Sequence, residues 1–437
     1  MRQFILFFLC VSALVHAEPP PNVVIIVSDD QGWGDYGFMG HSVVRTPHLD
    51  KLAQQSLLFE NGYVTAPLCR PSLASMLTGL HPHQHGVVGN DVRPFQDRDR
   101  ALDDRPVVEM LHKNQNLVRF LVSRGYLAFQ SGKWWEGSYL DGGFTHGMTH
   151  GDAKRGGRHG DLGLKIGREG MGPLEAFMDE ATEAEKPFFI WYAPFLPHTP
   201  HRPPTEFLEH YSAKGLSPAT AKYFAMCEWF DSTCGQLLQS LERRGIREKT
   251  LVVYICDNGW LAASDSKIPL PDGWWPNYAP KSKGSPYELG VRTPVMFSLP
   301  GVISPKRTQS FASSLDLFPT IAALCRFEAP AELPGLNLME RQRTQVLGAA
   351  YSIHNMTPGK PFESLQYTWL RSGPWKFLRR HQGIDTTRYL TVHDWDRVSV
   401  QLFNLNDDPD ETHNLASSHD GLVKSFHQVL NRTFPKP

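Results

Sequence analysis

The chain carries no excess of charge of either sign. Lysine and arginine total 44 and aspartate and glutamate total 45 in 437 residues, so the formal net charge is −1. Without a basic excess there is no electrostatic field that favours nucleic acid or an anionic membrane surface. With 41% hydrophobic and 20% charged residues the chain can still bury a large core. We therefore expect a globular, enzyme-sized protein that binds a small or polymeric ligand and no nucleic acid.

Long hydrophobic runs are also missing, apart from a short one at the start. Arg2, the apolar residues 4–15 and the small residue Ala17 form the pattern of an export signal that is cleaved after Ala17. This run is too short to span a bilayer, and no other segment approaches about 18 uninterrupted apolar residues. We expect no transmembrane segment and an exported protein, either periplasmic or secreted.

Cysteine is scarce. Of the six cysteines, Cys10 lies in the predicted signal, and the five that remain are a poor basis for a disulfide framework. Cys227 and Cys234 are expected on one helix, about 10 Å apart at 1.5 Å per residue, which is too far for a disulfide. We predict that most of these cysteines are buried as hydrophobic residues.

No internal repeat or low-complexity stretch interrupts an alternation of strand and helix patterns. Short β-branched or aromatic runs predict strands that are buried on both faces; they lie at residues 23–27, 127–130, 188–192 and 251–255. Helical patterns lie between them, including a long one at residues 220–244 that Gly245 ends. Strands that alternate with helices predict a largely parallel α/β sheet.

The pattern changes near residue 334. Shorter strand-like pieces at residues 346–353 and 375–378 are followed by a helical pattern near residues 422–430. We predict three parts of the chain, which are the export signal at residues 1–17, an N-terminal domain at residues 18–333 and a smaller C-terminal subdomain at residues 334–437.

Oxygen-bearing side chains follow two of the predicted strands where each strand ends. Asp29 and Asp30 come after the first strand, and Asp257 and Asn258 come after the strand at residues 251–255. Open α/β sheets bind their ligands at the carboxyl ends of strands. Four such side chains suit a hard cation such as Ca²⁺ or Mg²⁺. The alternative is two unrelated strand caps, because Asp and Asn are common there.

Cys69 precedes an Arg-Pro-Ser triplet and a helical pattern that ends at Gly79. Proline is typical of the first turn of a helix, so we predict Cys69 at a helix N-terminus. That position favours negative charge on or near the side chain, and its free amides would also attract sulfate or phosphate. The alternative is a buried structural cysteine.

These residues resemble the motifs of the sulfatase family. Residues 22–35 read NVVIIVSDDQGWGD, and residues 69–72 read CRPS. The motifs that follow in the same order are LTG at 77–79, GK at 132–133, PHTP at 197–200, DNG at 257–259, KGSPYE at 283–288, VRTP at 291–294, DLFPT at 316–320, LFNL at 402–405, DPDE at 408–411 and NLA at 414–416. The resemblance therefore spans nearly the whole mature chain.

The resemblance implies a fold and a set of site residues. The fold would be α/β, with a large mixed, mostly parallel sheet flanked by helices, as in alkaline phosphatase, and a small C-terminal antiparallel sheet with a helix. Residues 18–333 would form the catalytic domain. One Ca²⁺, rather than Mg²⁺, would be bound by the strand-end residues, which are Asp29, Asp30, Asp257 and Asn258.

The resemblance also implies a mechanism. Cys69 would be converted after synthesis to formylglycine by a formylglycine-generating enzyme, and the hydrate of its aldehyde would attack the sulfur of a sulfate ester. Lys133, His198 and Lys283 would hold sulfate oxygens or protonate the leaving alcohol. Taken alone, each of these three could instead be a solvated or turn-capping residue. The expected substrate is a sulfated small molecule or polysaccharide, and most simply a sulfated carbohydrate.

Two positions depart from the family pattern. The cysteine motif normally continues Cys-x-Pro-Ser-Arg, and Leu73 stands in place of the arginine. The lysine motif normally reads Gly-Lys-x-His, and Trp135 stands in place of the histidine. In the family both missing groups act on the formylglycine. Residues 142–161 are rich in cationic side chains that could replace them at the substrate. The predicted substrate-binding residues of this loop are His146, His150 and Arg158.

Two other functions stay open. A hydrolase of the same fold that acts on phosphate esters or phosphonates would use the same metal, helix terminus and lysines. A non-catalytic, metal-binding carbohydrate receptor is suggested by Leu73 and Trp135, and it would keep Cys69 unmodified.

Overall fold

A computed structural model describes the chain at residues 19–92, 100–151, 162–212, 214–260, 281–352, 356–381 and 398–435. The predicted export signal at residues 1–17 and the predicted substrate-binding residue Arg158 lie outside the described residues. Two β-sheets form the framework of the described part.

The larger sheet has eight strands. They are β1 (Asn22–Ser28), β2 (Leu57–Tyr63), β3 (Leu127–Gly132), β4 (His146–Gly147), β5 (Phe188–Ala193), β6 (Thr250–Cys256), β7 (Arg292–Ser298) and β8 (Lys306–Ser313). Their order across the sheet is β4-β3-β5-β1-β6-β7-β2-β8. The strands from β4 to β6 are parallel, β7 is antiparallel to both of its neighbours, and β2 pairs with β8 in parallel. The prediction of a mixed, mostly parallel sheet is confirmed.

The central strands are apolar because both faces of the sheet are covered. Every residue of β6 is buried, and in β1 only Asn22 is partly exposed. Val23 and Ile25 point into one hydrophobic layer, whereas Val24 and Ile26 point into the other. Continuous apolar runs are typical of such doubly covered strands. The parallel pairing of β1 with β6 brings their carboxyl ends side by side.

The described helices lie between and after these strands. They are α1 (Pro47–Gln54), α2 (Cys69–Thr78), α3 (Pro82–His85), α4 (Arg100–Lys113), α5 (Leu117–Val122), α6 (Gly172–Glu183), α7 (Thr205–Ser212), α8 (Pro218–Arg243), α9 (Glu288–Val291), α10 (Leu317–Leu324) and α11 (Asp420–Thr433). Across the described ranges, no helix combines the length and the hydropathy that crossing a membrane requires.

The long helix α8 begins two residues before the predicted start. Its N-cap is Ser217, whose hydroxyl accepts a hydrogen bond from the backbone N–H of Thr220, and a proline occupies the first turn. Cys227 and Cys234 both lie on this helix, buried and unpaired. The predictions of a shared helix and of buried, unbridged thiols are therefore correct.

The smaller sheet is antiparallel and lies in the C-terminal part. Its strands are β9 (Gln345–Tyr351), β10 (Leu365–Ser372), β11 (Trp375–Arg380) and β12 (Val400–Asn404), in the order β12-β11-β10-β9. Helix α11 covers this sheet with Phe426 and Leu430, which share a hydrophobic cluster with Phe377 of β11. The predicted small antiparallel sheet with a helix is present, while the domain boundary at residue 334 stays a prediction.

Candidate active site

The carboxyl ends of β1 and β6 bring the four predicted metal ligands together. The backbone N–H of Asp30 donates to Asp257 Oδ1 at 3.0 Å, and Asn258 Nδ2 donates to Asp30 Oδ1 at 2.6 Å. These three side chains and that of Asp29 are all buried. Asp30 has a φ of 62°, a left-handed conformation that is uncommon outside glycine and often found at functional sites.

Cys69 opens helix α2 beside this group, as the sequence predicts for a helix N-terminus. Its Sγ lies 3.1 Å from Lys283 Nζ and 3.8 Å from Asp30 Oδ1. Burial raises the pKa of the Cys69 thiol to about 12, although Lys133 and Lys283 act to lower it. The expected stabilisation of negative charge at the helix terminus is thus outweighed by desolvation, and the unmodified side chain is a thiol at neutral pH.

Two lysines reach the carboxylates from different loops. Lys133 Nζ donates to Asp29 Oδ1 at 2.6 Å and to Asp257 Oδ2 at 3.3 Å. Lys283 Nζ donates to the two oxygens of Asp30 at 2.5 and 2.7 Å. Burial acts to lower the pKa of both lysines, but the carboxylates raise it above the ordinary value. Both lysines therefore stay protonated.

Gly132 allows Lys133 to enter the site. This glycine ends β3 with a φ of 78°, and a Cβ atom there would lie 1.7 Å from the carbonyl oxygen of Ala193. Only glycine fits both the left-handed backbone and this close approach of β5. The turn is held by a hydrogen bond of 2.6 Å from the backbone N–H of Lys133 to the same carbonyl.

His198 completes the cluster from the loop between β5 and α7. Its Nε2 lies 3.4 Å from Asp30 Oδ2, and its Nδ1 is bonded to the carbonyl oxygen of Thr199 at 2.5 Å. The ring of Phe195 stacks on the imidazole with centroids 4.2 Å apart. Burial lowers the pKa of His198 to about 4, although Asp30 acts to raise it. The imidazole is neutral at neutral pH in the absence of a ligand.

Three carboxylates in this cluster face two lysines, so negative charge is in excess. Burial and the charge of Asp29 raise the pKa of Asp257 to about 7, and burial together with Asp30 raises that of Asp29. Burial also acts to raise the pKa of Asp30, but Lys283 and His198 hold it below its usual value. Asp29 Oδ2 and Asn258 Oδ1 are buried and have no hydrogen-bond partner within the described part of the chain. Unsatisfied oxygens and surplus negative charge fit a hard divalent cation.

Two of the four predicted ligands, Asp29 and Asp30, also belong to a set of atoms that are close enough together for one ion. An oxygen of Asp29, an oxygen of Asp30, the sulfur of Cys69 and a nitrogen of His198 all lie within 4.8 Å of one another. The structure thus brings together the eight residues that the sequence predicts for metal binding and catalysis, and their roles stay predictions.

The two departures from the family pattern have different surroundings. Trp135 is buried with its ring centroid 6.0 Å from Lys133 Nζ and 5.9 Å from the guanidinium carbon of Arg70, so two cations face its π-system. Leu73 lies in the hydrophobic core with Phe120 and Phe318. Leu73 has no polar group, and Trp135 carries only an indole N–H, which can donate a hydrogen bond but supplies no charge and transfers no proton.

The predicted substrate-binding histidines contact other parts of the molecule. His146 lies on the edge strand β4, where its Nε2 is 3.1 Å from Glu180 Oε1 and its ring packs against Phe177 of α6. His150 forms a β-bridge with Ser138, and its ring lies 6.0 Å from that of Tyr139. None of these partners belongs to the cluster around Cys69. A substrate role for either histidine stays a prediction.

Sequence reasoning missed two buried residues next to the site. Arg70 is fully buried and binds Glu136 through two hydrogen bonds. His201 is buried three residues after His198. The only available signal was the position of each beside a predicted site residue, and neither residue type is usually buried.

The fold and the cluster together define an α/β enzyme whose reactive groups gather at the carboxyl edge of its sheet. The family model described as Sulfatase matches residues 21–326, and the one described as N-sulphoglucosamine sulphohydrolase, C-terminal, matches residues 282–434. The chain belongs to the sulfatase family and is a sulfuric ester hydrolase.

Known relatives span nearly the whole chain. Human arylsulfatase A is 29% identical over 476 aligned residues, which cover 97% of this chain and 89% of the relative. The structure of Ps i-CgsB in complex with k-i-k-neocarrahexaose matches with a TM-score of 0.71 and 22% identity, over 95% of this chain and 93% of that one. The structure of BT4656 in complex with its substrate D-glucosamine-2-N,6-O-disulfate matches with a TM-score of 0.64 and 16% identity, over 95% and 97%. These structures share the fold.

Proposed function

We propose that this sulfatase hydrolyses a sulfate ester of a carbohydrate, using a formylglycine formed from Cys69 beside a bound Ca²⁺. The observation that carries the proposal is the placement of Cys69 Sγ 3.1 Å from Lys283 Nζ and 3.8 Å from Asp30 Oδ1 in one buried cluster. The carbohydrate part is supported by BT4656 and Ps i-CgsB, whose structures contain saccharides.

Asp29, Asp30, Asp257 and Asn258 would hold the metal ion through oxygen atoms alone. Their surplus charge and the unpartnered oxygens of Asp29 and Asn258 support this assignment. Ligands of this kind favour Ca²⁺ over metals that prefer nitrogen or sulfur. When bound, the cation supplies positive charge that stabilises a deprotonated hydroxyl of the nucleophile and the sulfate oxygens.

The environment of Cys69 argues against the unmodified cysteine as the nucleophile. A thiol whose pKa is about 12 forms very little thiolate at neutral pH, so the unmodified cysteine would be a weak nucleophile. An aldehyde hydrate at the same position would instead provide a hydroxyl group that can attack the sulfur of a sulfate ester. This conversion requires a formylglycine-generating enzyme as a maturation partner, and export through the signal at residues 1–17 would place the mature protein in the periplasm or outside the cell.

The remaining groups would bind the sulfate and move a proton. Lys133 and Lys283 stay protonated, and each can donate hydrogen bonds to sulfate oxygens. An anionic substrate would offset the repulsion that these lysines exert on His198 and so raise the pKa of its imidazole. Nε2 of His198 could then carry the proton that the leaving alcohol takes up. Because Leu73 and Trp135 offer no ionisable group, catalysis would depend on Lys133, His198 and Lys283.

Two measurements test this proposal together. The first is a peptide mass spectrum around Cys69, from protein expressed with a formylglycine-generating enzyme, and the second is hydrolysis of an aryl sulfate. We expect formylglycine, and turnover that is lost in Cys69→Ala. An aryl phosphate assayed in parallel tests phosphate ester hydrolysis, which would be favoured if the phosphate were cleaved faster.

The receptor alternative makes the opposite prediction, and the absence of ionisable groups at Leu73 and Trp135 is the observation that favours it. A spectrum with only unmodified Cys69, no turnover and saturable binding of a sulfated sugar would contradict the proposed enzyme and support the receptor.

A further inference from the structure

His201 is a buried histidine that the catalytic cluster does not use. It lies on the loop between β5 and α7, with 7% of its surface exposed. Among the described residues, neither Nδ1 nor Nε2 has a hydrogen-bond partner. Burying two polar atoms in this way costs free energy, and most such atoms in folded proteins are satisfied. An external partner for this imidazole is therefore expected.

Aromatic rings place His201 beside the metal-ligand loop. Its ring centroid is 5.5 Å from that of Tyr223, which in turn is 4.6 Å from the half-buried ring of Trp260. Trp260 follows directly on the predicted ligand pair at residues 257–258. The Tyr223 hydroxyl is already committed, because it donates to Asp35 at 2.8 Å and accepts from the backbone N–H of Gly32 at 2.9 Å. Tyr223 packs its ring against the imidazole, but its hydroxyl does not hydrogen-bond the imidazole nitrogens.

The charges around His201 indicate what kind of partner it would bind. Burial and the charge of His198 lower the pKa of His201, Asp30 acts to raise it, and the resulting value is about 4. At neutral pH the ring is therefore uncharged, with one nitrogen as donor and the other as acceptor. This pair of functions matches the hydroxyl of an alcohol, whereas the sulfate group itself is better served by Lys133 and Lys283.

We infer that His201 is a specificity-determining residue, which hydrogen-bonds a hydroxyl of the sugar that carries the sulfate ester, next to the ring of Trp260. This inference rests on the proposed function. His201 follows His198 by three residues on the same loop, so it lies near the cluster that would hold the sulfate group of the same substrate.

The test compares substrates with and without a sugar. Wild type, His201→Ala and His201→Asn are assayed on 4-nitrophenyl sulfate, which has no sugar hydroxyl, and on a panel of sulfated saccharides that includes D-glucosamine-2-N,6-O-disulfate. His210→Ala is the matched control, since this more exposed histidine of α7 contacts Glu228 of α8 at 2.9 Å.

We expect His201→Ala to lower kcat/KM about tenfold to a hundredfold on each saccharide that the wild type cleaves, mainly through KM, since a buried polar site is left unpaired. On 4-nitrophenyl sulfate the change should stay within about threefold, because the nitrophenyl group offers no hydroxyl to bind. His201→Asn keeps a donor and an acceptor and should recover part of the loss. His210→Ala should match the wild type on both substrate classes, and thermal unfolding of all variants establishes that they are folded.

Other outcomes decide against the inference or against the proposed function. Equal losses on both substrate classes would give His201 a structural or catalytic role, and unchanged kinetics on the saccharides would remove any role in binding. If the enzyme cleaved 4-nitrophenyl sulfate through Cys69 but no saccharide were cleaved or competed, sulfate ester hydrolysis would stand and the His201 inference would be overturned. If the wild type cleaved neither substrate, the proposed function would fail. Calorimetric binding of the same saccharides to wild type and His201→Ala would then decide the role of His201.

Discussion

Cys69 and Arg70 are neighbours at the start of helix α2, yet their side chains enter two buried charge clusters of opposite character. The cluster of Arg70 is closed, which means that its charged groups are paired with one another. Its Nε and Nη2 donate to the two oxygens of Glu136 at 2.8 and 2.9 Å, and its Nη1 donates to Asp104 at 3.0 Å. Burial alone would lower the pKa of Arg70, but these carboxylates raise it above its ordinary value. The guanidinium therefore stays protonated and hydrogen-bonded to both carboxylates.

The cluster of Cys69 is open, which means that it is buried but keeps polar atoms that the described residues do not satisfy. Its carboxylates outnumber its lysines, and the pKa values of Asp29 and Asp257 are raised by burial and by repulsion from neighbouring carboxylates. One oxygen of Asp29 and one of Asn258 have no hydrogen-bond partner among the residues that the structure describes. Both clusters are equally buried, so depth alone does not decide which one binds a ligand. The difference lies in whether the polar atoms are already satisfied within the chain.

The largest expected effect comes from breaking the closed cluster. Glu136→Ala would leave the buried guanidinium of Arg70 without its two-point partner, and we expect a loss of about 3–5 kcal/mol in the free energy of unfolding. Urea unfolding measures this loss. Glu242→Ala is the control, because Glu242 pairs with Lys51 on the surface at 3.2 Å and should contribute less than about 1 kcal/mol. Similar small losses in both variants would show that the Arg70 cluster is not closed in solution.

The next effect concerns catalysis in the open cluster. Lys283→Ala removes a donor aimed at the reacting sulfate, and we expect kcat/KM on an aryl sulfate to fall about a hundredfold to a thousandfold, with the protein still folded. Lys360→Ala, which removes an exposed lysine paired with Glu363 at 2.9 Å, should leave kcat/KM unchanged. A fall of less than about tenfold would mean that Lys283 is not among the groups that stabilise the transition state.

Metal binding to the open cluster should change the free energy of unfolding. Ca²⁺ at a hundred times its Kd should raise the free energy of unfolding by about 2.7 kcal/mol, because the ion binds only the folded cluster. Asp257→Asn removes a charged ligand, and if it weakens Kd tenfold the same Ca²⁺ concentration adds about 1.4 kcal/mol. Unfolding with and without a chelator measures both values, and Asp420→Asn on helix α11 should keep the full gain. No gain from any divalent cation would contradict the metal site, and a larger gain with Mg²⁺ would contradict Ca²⁺.

The open cluster was easier to predict from the sequence than the closed one. Asp29 and Asp257 each follow an apolar strand directly, so a local pattern places them at one edge of the sheet. Lys133 and Lys283 carry no such local signal, and only the resemblance to the sulfatases pointed to them.

The closed cluster was indicated neither by a local sequence pattern nor by the resemblance to the sulfatases. Arg70 and Glu136 are 66 residues apart, and arginine and glutamate are residue types that are usually exposed. Their burial depends on how α2 packs against the segment after β3, which is a tertiary contact. The thiol of Cys69 shows the same limit, because its helix position was predictable while its raised pKa follows from burial.

A third buried cluster lies between these extremes and joins the two sheets. Glu288 accepts hydrogen bonds from Lys376 of β11 at 2.9 Å and from the Tyr63 hydroxyl of β2 at 2.8 Å. Its backbone N–H donates to Glu411 Oε2 at 2.8 Å. Burial acts to raise the pKa of Glu288, but Lys376 and Arg292 hold it below its usual value. Burial and the charge of Glu288 raise the pKa of Glu411 to about 8, although Lys376 acts to lower it.

This third cluster predicts a gradual dependence of stability on pH, with a small change at each step of pH. The folded chain keeps a proton on Glu411 up to about pH 8, whereas the unfolded chain releases it near the ordinary value of 4.5. The contribution to stability is therefore complete below about pH 4.5 and is lost as pH rises toward 8, by at most about 1.4 kcal/mol per pH unit. Glu411→Gln resembles the protonated form, so its free energy of unfolding should fall less steeply than that of the wild type when urea unfolding is repeated across this range. Glu363→Gln on the surface should follow the wild type. If the curves for wild type and Glu411→Gln ran parallel, Glu411 would be ionised in the folded chain, and the cluster between the sheets would be closed like that of Arg70.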